Sequence, residues 1–197
     1  VSSAASDVYK RQERGRMFMR SPWLIPEIAS GEFEESDLGG AKAHSSRSGV
    51  ACLVAEDEQH AFELANHILS YLPDNTDSIP PRFSQTDDPL RLCEELSTLV
   101  PNDPNRPYDM RGVIETVVDD STFMELFPDY AENIIIGFSR LDGQPIGVIG
   151  NQPSVLAGCL DIDASIKAAI LIRTCDVFNL PLLTFVDVPG FLPGTST

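Results

Sequence analysis

The order of apolar runs in the last third of the chain restricts its fold more than any other feature. Ile134 to Arg140 is largely apolar, Leu141-Asp142-Gly143-Gln144 interrupts it, and Pro145 to Gly150 is apolar again. Asp-Gly supplies the positive φ angles that a tight turn between twisted strands requires, so the segment predicts a β-hairpin. After a loop at Asn151 to Gly158, a helix is predicted from about Asp163 to Phe178. Ala168, Leu171, Ile172 and Cys175 form its buried side, and Asn179 and Pro181 end it. Leu182 to Val186 then reads as a strongly apolar strand. It runs into Asp187-Val188-Pro189-Gly190-Phe191-Leu192-Pro193-Gly194, a rigid loop at the C-terminal edge of a strand, where α/β proteins gather ligands. Hairpin, helix, strand and loop in this order predict a mixed α/β domain rather than a simple βαβ nucleotide fold. Neither GxGxxG nor GxxxxGK[ST] occurs.

Upstream, Met17 to Arg20 is a candidate strand, and Pro22 to Ala29 a short helix with Pro22 in its first turn, ending at Gly31. Leu38-Gly39-Gly40-Ala41 breaks the pattern, either as a backbone turn near a phosphate or as a plain loop. Gly49 to Glu56 reads as a buried strand through Val50, Cys52, Leu53 and Val54, with Asp57 as the N-cap of the next helix. From Asp57 to Leu72, Ala61, Leu64, Ala65, Ile68, Leu69 and Leu72 recur at spacings of three and four, the face of an amphipathic helix. His60 and His67 roughly share a face of that helix. His44 is the only other histidine, so they read as solvent-facing rather than as metal ligands.

Between Pro73 and Pro107 seven prolines accompany many Asp and Asn, the composition of a linker or extended arm. A short helix from Asp88 or Pro89 through Leu96 interrupts it. Asp109 to Val118 and Thr122 to Phe127 are read as two short helices. Asp119-Asp120 between them is either a charged pair in a site or two solvated turn carboxylates.

Composition narrows the function classes. Hydrophobic residues make up 42% of the 197, enough for a buried core. Thirty acidic against fourteen basic residues give a net charge of −16, which repels nucleic acid and anionic membrane surfaces alike. An anionic ligand would need local cations such as Lys42, Arg47 or Arg173. The four cysteines are far apart and form no Cys-x-x-Cys, which suits a reducing compartment. The longest apolar runs fall well short of the ~20 residues that cross a bilayer. Val1 to Gln12 lacks periodicity and the apolar core of a signal peptide, and reads as a translated adapter or a tail. The chain as a whole reads as a fragment.

Several stretches carry a family resemblance. Gly147-Val148-Ile149-Gly150-Asn151-Gln152-Pro153, Ala157-Gly158-Cys159-Leu160-Asp161, Ala164-Ser165-Ile166-Lys167-Ala168-Ala169 and Ile172-Arg173-Thr174-Cys175-Asp176 follow one another in order. Phe178-Asn179-Leu180-Pro181-Leu182 and Phe185 through Thr195 continue the set. Leu38-Gly39-Gly40-Ala41, Val100-Pro101-Asn102-Asp103-Pro104-Asn105 and Pro107-Tyr108-Asp109-Met110-Arg111 precede it. Together they resemble the carboxyltransferase subunits of biotin-dependent acyl-CoA carboxylases, over about residues 32 to 195. Val186-Asp187-Val188-Pro189-Gly190-Phe191 looks like the propionyl-CoA and acetyl-CoA carboxylase branch. The chain departs from the pattern at Ile170-Leu171, where an aromatic is common, and at Arg20-Ser21-Pro22-Trp23, where a Gly-Pro turn is usual. The second departure leaves the acyl-chain preference open.

The resemblance implies a crotonase-like (ClpP/crotonase) α/β fold, with the end of one domain and the start of a second. It implies a tail at 1–12, part of an acyl-CoA-binding domain at 13–72, a linker at 73–108 and part of a biotin-binding domain at 109–197. It further implies transfer of a carboxyl group from carboxybiotin, carried on a partner domain, to the α-carbon of a short-chain acyl-CoA, with no metal in this subunit. Backbone N–H groups would steady the two developing oxyanions, each donor contributing about 3 kcal/mol. Gly190 and Phe191 are the candidates for donors or walls on the biotin side, against the reading of a plain rigid turn. Asn151 and Gln152 would orient the loops, and Asp187, with Val188 and Pro189, would position a loop amide rather than act as a base. The residues that hold coenzyme A are not identified. The family's glycine-rich oxyanion elements would fall before residue 13 and after residue 197, so the fragment alone is expected to be inactive. Biotin carboxylase and a biotin carboxyl carrier subunit are the implied partners, in a homo-hexamer of the full-length subunit, in the bacterial cytoplasm or the mitochondrial matrix. A biotin-dependent decarboxylase subunit and a catalytically inactive assembly subunit are the rival readings. An enoyl-CoA hydratase is disfavoured by the lack of a glutamate pair at a glycine-rich turn.

Overall fold

A computed structural model describes residues 15–19, 21–84, 87–103 and 106–192. The predicted tail, Arg20, Pro104, Asn105 and the loop end from Pro193 lie outside these residues. The chain divides into two compact units, Val1–His67 with Phe127–Tyr130, and Ile68–Leu126 with Ala131–Thr197.

In the first unit a 3-10 turn at Pro22–Leu24 precedes α1 (Pro26–Ala29) and α2 (Glu35–Gly39). A π-helical turn comes next at Ala43–Arg47, and α3 (Glu58–Tyr71) ends in the second unit. Of the strand predicted at 17–20, the described residues 17–19 form none, and an isolated bridge joins Arg16 to Gly40 just before them. Gly49 to Glu56 forms no regular strand: Gly49 is in the left-handed region at φ 60°, and only an isolated bridge occurs, at Ala55. Burial there alternates: Ala51, Leu53 and Ala55 point inward and Val50 is exposed, where a continuously buried strand was expected. Asp57 caps α3 as predicted, its carboxylate accepting the His60 N–H at 2.8 Å. His60 Nδ1 accepts the Glu56 N–H at 3.3 Å.

The second unit holds α4 (Leu96–Leu99), α5 (Met110–Val117), β1 (Met124–Leu126), β2 (Ile134–Leu141), β3 (Gln144–Asn151), α6 (Ile162–Val177) and β4 (Leu182–Phe185). The sheet order is β1-β2-β3-β4. The first two pairings are antiparallel and the last is parallel, so α6 is the crossover between β3 and β4. The hairpin forms as predicted: Leu141 pairs with Gln144, and Asp142 and Gly143 take φ of 52° and 73°. The turn is pinned by Asp119, whose carboxylate accepts the Asp142 N–H at 2.9 Å and the Gly143 N–H at 2.7 Å. Asp119 is therefore a buried structural acceptor, not a solvated turn carboxylate, while Asp120 is exposed.

One sheet face packs on α5, where Met110, Val113 and Ile114 meet Ile135, Ile146 and Val148. On the other, Cys175 and Leu171 of α6 close over Gly147. The buried line of α6 runs through Ala164, Lys167, Leu171 and Cys175. Ala168 is only half-buried and Ile172 is exposed, which shifts the predicted face. A lysine inside the stripe hides it from a hydrophobic pattern. Lys167 is fully buried because its ammonium donates to the Ile134 carbonyl at 2.8 Å and the Ala131 carbonyl at 3.3 Å.

Two other expectations fail for local reasons. Thr122 to Phe127 is not helical: Met124 and Leu126 alternate inward as a strand, and outward Glu125 takes the Arg111 guanidinium at 2.6 and 2.8 Å. The helix expected from Asp88 to Leu96 does not form, and Leu90 and Leu92 are exposed. Arg91 instead reaches inward to the Thr116 and Val118 carbonyls at the end of α5, at 2.7 and 2.9 Å.

Candidate active site

The parallel pairing of β3 with β4 brings two loops together at one sheet edge. Gly150 is in register with Phe185, so Asn151 stands beside Val186, where the chain leaves β4. Asn151 ties both loops: Nδ2 donates to the Gly158 carbonyl at 3.1 Å, and Oδ1 accepts the Asp187 N–H at 3.4 Å. Gly158 is in the left-handed region at φ 76°, and a Cβ there would lie 2.8 Å from the Asp187 carbonyl oxygen. Leu156 and Ala157, at φ 50° and 53°, also adopt a conformation that disfavours a Cβ.

Gln152 acts in another direction. It is fully buried, its Nε2 donates to Asp109 Oδ1 at 2.6 Å and its Oε1 accepts the Met110 N–H at 3.1 Å. Asp109 is the N-cap of α5 and also accepts the Arg111 N–H at 2.9 Å. Burial pushes the Asp109 carboxyl up, but the bonds from Gln152 and Arg111 outweigh it and leave its pKa lowered. Asn151 thus serves the loops and Gln152 the start of α5.

Asp187 accepts a hydrogen bond from the Tyr108 phenol at 2.7 Å. Its carboxylate holds no loop amide among the described residues. Burial, and then Asp187, push the Tyr108 pKa up to about 12, so the phenol remains a donor at neutral pH. Asp187, Val188 and Pro189 line a cleft of 700 Å³ together with Pro101, Tyr108 and Ala157.

Gly190 and Phe191 turn the chain to the other side of the loop. The Gly190 carbonyl accepts the Leu160 N–H at 3.1 Å, and the Leu160 carbonyl accepts the Leu192 N–H at 2.8 Å. The Gly190 and Phe191 N–H groups donate to no acceptor among the described residues. Phe191 is 74% exposed and forms one wall of a 380 Å³ groove with Leu160, Ile166, Ala169 and Arg173. The loop therefore divides two depressions, with Asp187 to Pro189 facing one and Phe191 the other. Of the cations expected to serve an anionic ligand, Arg173 lies in this groove, while Lys42 and Arg47 share a 350 Å³ hollow in the first unit.

Three contributors went unremarked in the sequence: Tyr108, Asn133, which donates to the Cys159 carbonyl at 2.9 Å, and Gly158 as the contact point with Asp187. Tyr108 and Gly158 lie within the stretches that carry the resemblance, but nothing local marks their partners. Among the described residues no group of three or more His, Cys, Asp or Glu is placed to hold a metal. No described helix is long and apolar enough to cross a membrane.

Comparison with known proteins gives one consistent result. The family described as "Carboxyl transferase domain" matches residues 2–197. The propionyl-CoA carboxylase carboxyltransferase subunit of Haloferax mediterranei is 47% identical, over 93% of this chain and 36% of its own length. The methylmalonyl-CoA decarboxylase subunit alpha of Veillonella parvula is 46% identical, over 99% of this chain and 38% of its own. Among solved structures, the transcarboxylase 12S hexamer with methylmalonyl-coenzyme A and methylmalonic acid bound superposes with a TM-score of 0.85 at 41% identity. That match covers 91% of this chain and 34% of the other. The chain spans about a third of the length of the curated relatives it matches.

Proposed function

Because the chain belongs to the carboxyl transferase family and has the crotonase-like fold of its solved relatives, we propose that it forms part of a subunit that moves a carboxyl group between biotin and a short-chain acyl-CoA. The observation that carries the reading is the loop at 187–191. It offers two backbone amides, at Gly190 and Phe191, that donate to no acceptor among the described residues, in a loop that also supplies an exposed aromatic wall to an apolar groove. That pairing suits a neutral bicyclic ring with one strongly accepting oxygen. Bound carboxybiotin would supply the carboxyl group.

The chain's own residues do the rest. The two amides would serve as donors to an oxygen that gains negative charge, and donors held in place before reaction are effective. Asn151 and Asp187 hold the loop that presents them. No side-chain base is required of this segment. Residues 13–72 belong to the acyl-CoA side and 109–197 to the biotin side, joined by 73–108. Propionyl-CoA or acetyl-CoA is the acceptor, giving methylmalonyl-CoA or malonyl-CoA. Biotin carboxylase and a biotin carboxyl carrier are the partners, in a homo-hexamer, in a bacterial cytoplasm or the mitochondrial matrix.

The test is transfer from methylmalonyl-CoA or malonyl-CoA to free biotin by a subunit of the relatives' full length that carries this segment. Biotin-dependent formation of propionyl-CoA or acetyl-CoA is expected. No biotin-dependent turnover with either thioester would sink the proposal. The near-equal identity to the Veillonella decarboxylase subunit supports a second reading, the same transfer run toward decarboxylation. Co-purification with a membrane protein rather than a biotin carboxylase would favour it.

A further inference from the structure

Tyr108 and Asp187 are 79 residues apart in sequence, yet the phenol meets the carboxylate at 2.7 Å. We infer that Tyr108 is a positioning residue for the proposed transfer: by orienting the Asp187 carboxylate it sets the loop that presents the Gly190 and Phe191 amides. The inference rests on the reading above and names a residue that serves the biotin side of that site.

Tyr108 is built as a fixed post. The next residue, Asp109, caps α5 and is gripped by Gln152, and Met110 N–H is held by the same side chain. The Tyr108 ring packs against the core cluster that contains Met110, Ile114 and Val148. Neither end of the residue can drift without disturbing α5 or the sheet. Asp187 is the opposite, an exposed residue in a segment without regular structure. Among the described residues only two hydrogen bonds locate it: its amide on Asn151 and its carboxylate on Tyr108. The amide bond is long, at 3.4 Å, so the shorter, charge-assisted bond to Tyr108 is the stronger of the two.

Between this anchor and the next, where the Gly190 carbonyl accepts the Leu160 N–H, only Val188 and Pro189 intervene. Proline fixes its own φ and restricts the residue before it, so the orientation set at Asp187 is passed along a stiff dipeptide to Gly190. Without the phenol the loop would pivot on the weak amide bond.

The experiment compares Tyr108→Phe with wild type in the full-length subunit. Phenylalanine keeps the packed ring and deletes only the donor. We expect kcat/KM for free biotin to fall about ten-fold, the scale of one hydrogen bond to a charged group, with KM for the acyl-CoA unchanged. We also expect faster exchange of the Asp187 amide, which is bonded to Asn151, and an unchanged melting temperature. Asp187→Ala should give a similar loss, and the double variant no further loss, because both act through one bond. Equal losses for both substrates with a lowered melting temperature would show a merely structural tyrosine and overturn the inference. So would unaltered exchange of the Asp187 amide. Exchange is read without turnover, so an inactive wild type would refute the proposed function while the loop result still decides for or against Tyr108.

Discussion

The β2–β3 hairpin and the loop at 186–192 lie in the same unit and are held in opposite ways. In the hairpin every residue from Ile134 to Leu141 pairs with one from Gln144 to Asn151, and most side chains are buried on both faces. In the loop, Val186 and Phe191 are 72% and 74% exposed, and position depends on single contacts from Asn151, Tyr108, Gly158 and Leu160. The hairpin draws its stability from area and repetition, which no single side chain controls. The loop draws its geometry from a few groups, each of which controls it. A rigid sheet edge with an adjustable loop is an arrangement suited to presenting backbone donors.

The largest expected effect breaks the hairpin side. Ile135 has no exposed surface and lies in the cluster with Met110, Ile114 and Val148. Ile135→Ala should destabilise the chain by about 2–5 kcal/mol, read as a lower urea midpoint at unchanged slope. A cost under about 1 kcal/mol would mean that the cluster is not the core of this unit.

The same contrast explains what was legible in the sequence. Repeating interactions leave a period, so the hairpin, its Asp-Gly turn and α6 could be read to within a residue or two. One-off contacts leave none. Arg91 turned inward to cap α5 where a leucine spacing suggested helix, and Lys167 sat in the middle of a buried stripe because two carbonyls received its ammonium. A strand as short as Met124–Leu126 offers too few alternations to distinguish from a helical turn. At the site, Asn151, Gln152, Asp187 and the Gly190-Phe191 pair were marked by resemblance, and the geometry divides them among three tasks. Tyr108 was out of reach because its partner lies across most of the second unit's sequence.

Alkaline pH sharpens the comparison at intermediate size. Burial alone pushes the Cys175 thiol from 9.0 to about 11, and burial, partly opposed by Arg140, raises the Tyr71 phenol from 10.0 to about 12. Both residues are 1% exposed. A raised pKa means that the unfolded chain loses its proton first. The stabilisation is therefore complete below about pH 9, where Cys175 is neutral in both states, and is lost as pH rises through about 11. The loss from Cys175 is about 2–3 kcal/mol. Urea midpoints should fall over that window, and Cys175→Ala should delay the fall until about pH 10, where Tyr71 begins to contribute. Tyr108 is also raised, but it is half-buried and its share is screened by water. No decline between about pH 9 and 11 would show that these groups are not closed off from solvent.

The smallest effects test the loop side, where conformation counts for more than area. Ala157 stands at φ 53° between Leu156 at φ 50° and Gly158 at φ 76°. A left-handed backbone costs a residue with a Cβ about 1–2 kcal/mol. Glycine removes that cost but gains freedom in the unfolded chain, which offsets about 0.4–1 kcal/mol. Ala157→Gly should therefore stabilise by a few tenths of a kcal/mol to about 1, although it removes a methyl group and adds no contact. Gly158→Ala reverses the argument: it incurs the left-handed penalty and puts a Cβ 2.8 Å from the Asp187 carbonyl, a backbone atom that cannot turn aside without moving the loop. It should destabilise, and it should raise exchange of the Asp187 amide as well. The two substitutions sit on neighbouring residues and change volume by one methyl each, so opposite signs isolate backbone conformation as the cause. The same sign for both would show instead that the 156–158 turn relaxes freely and does not hold Asp187 in place.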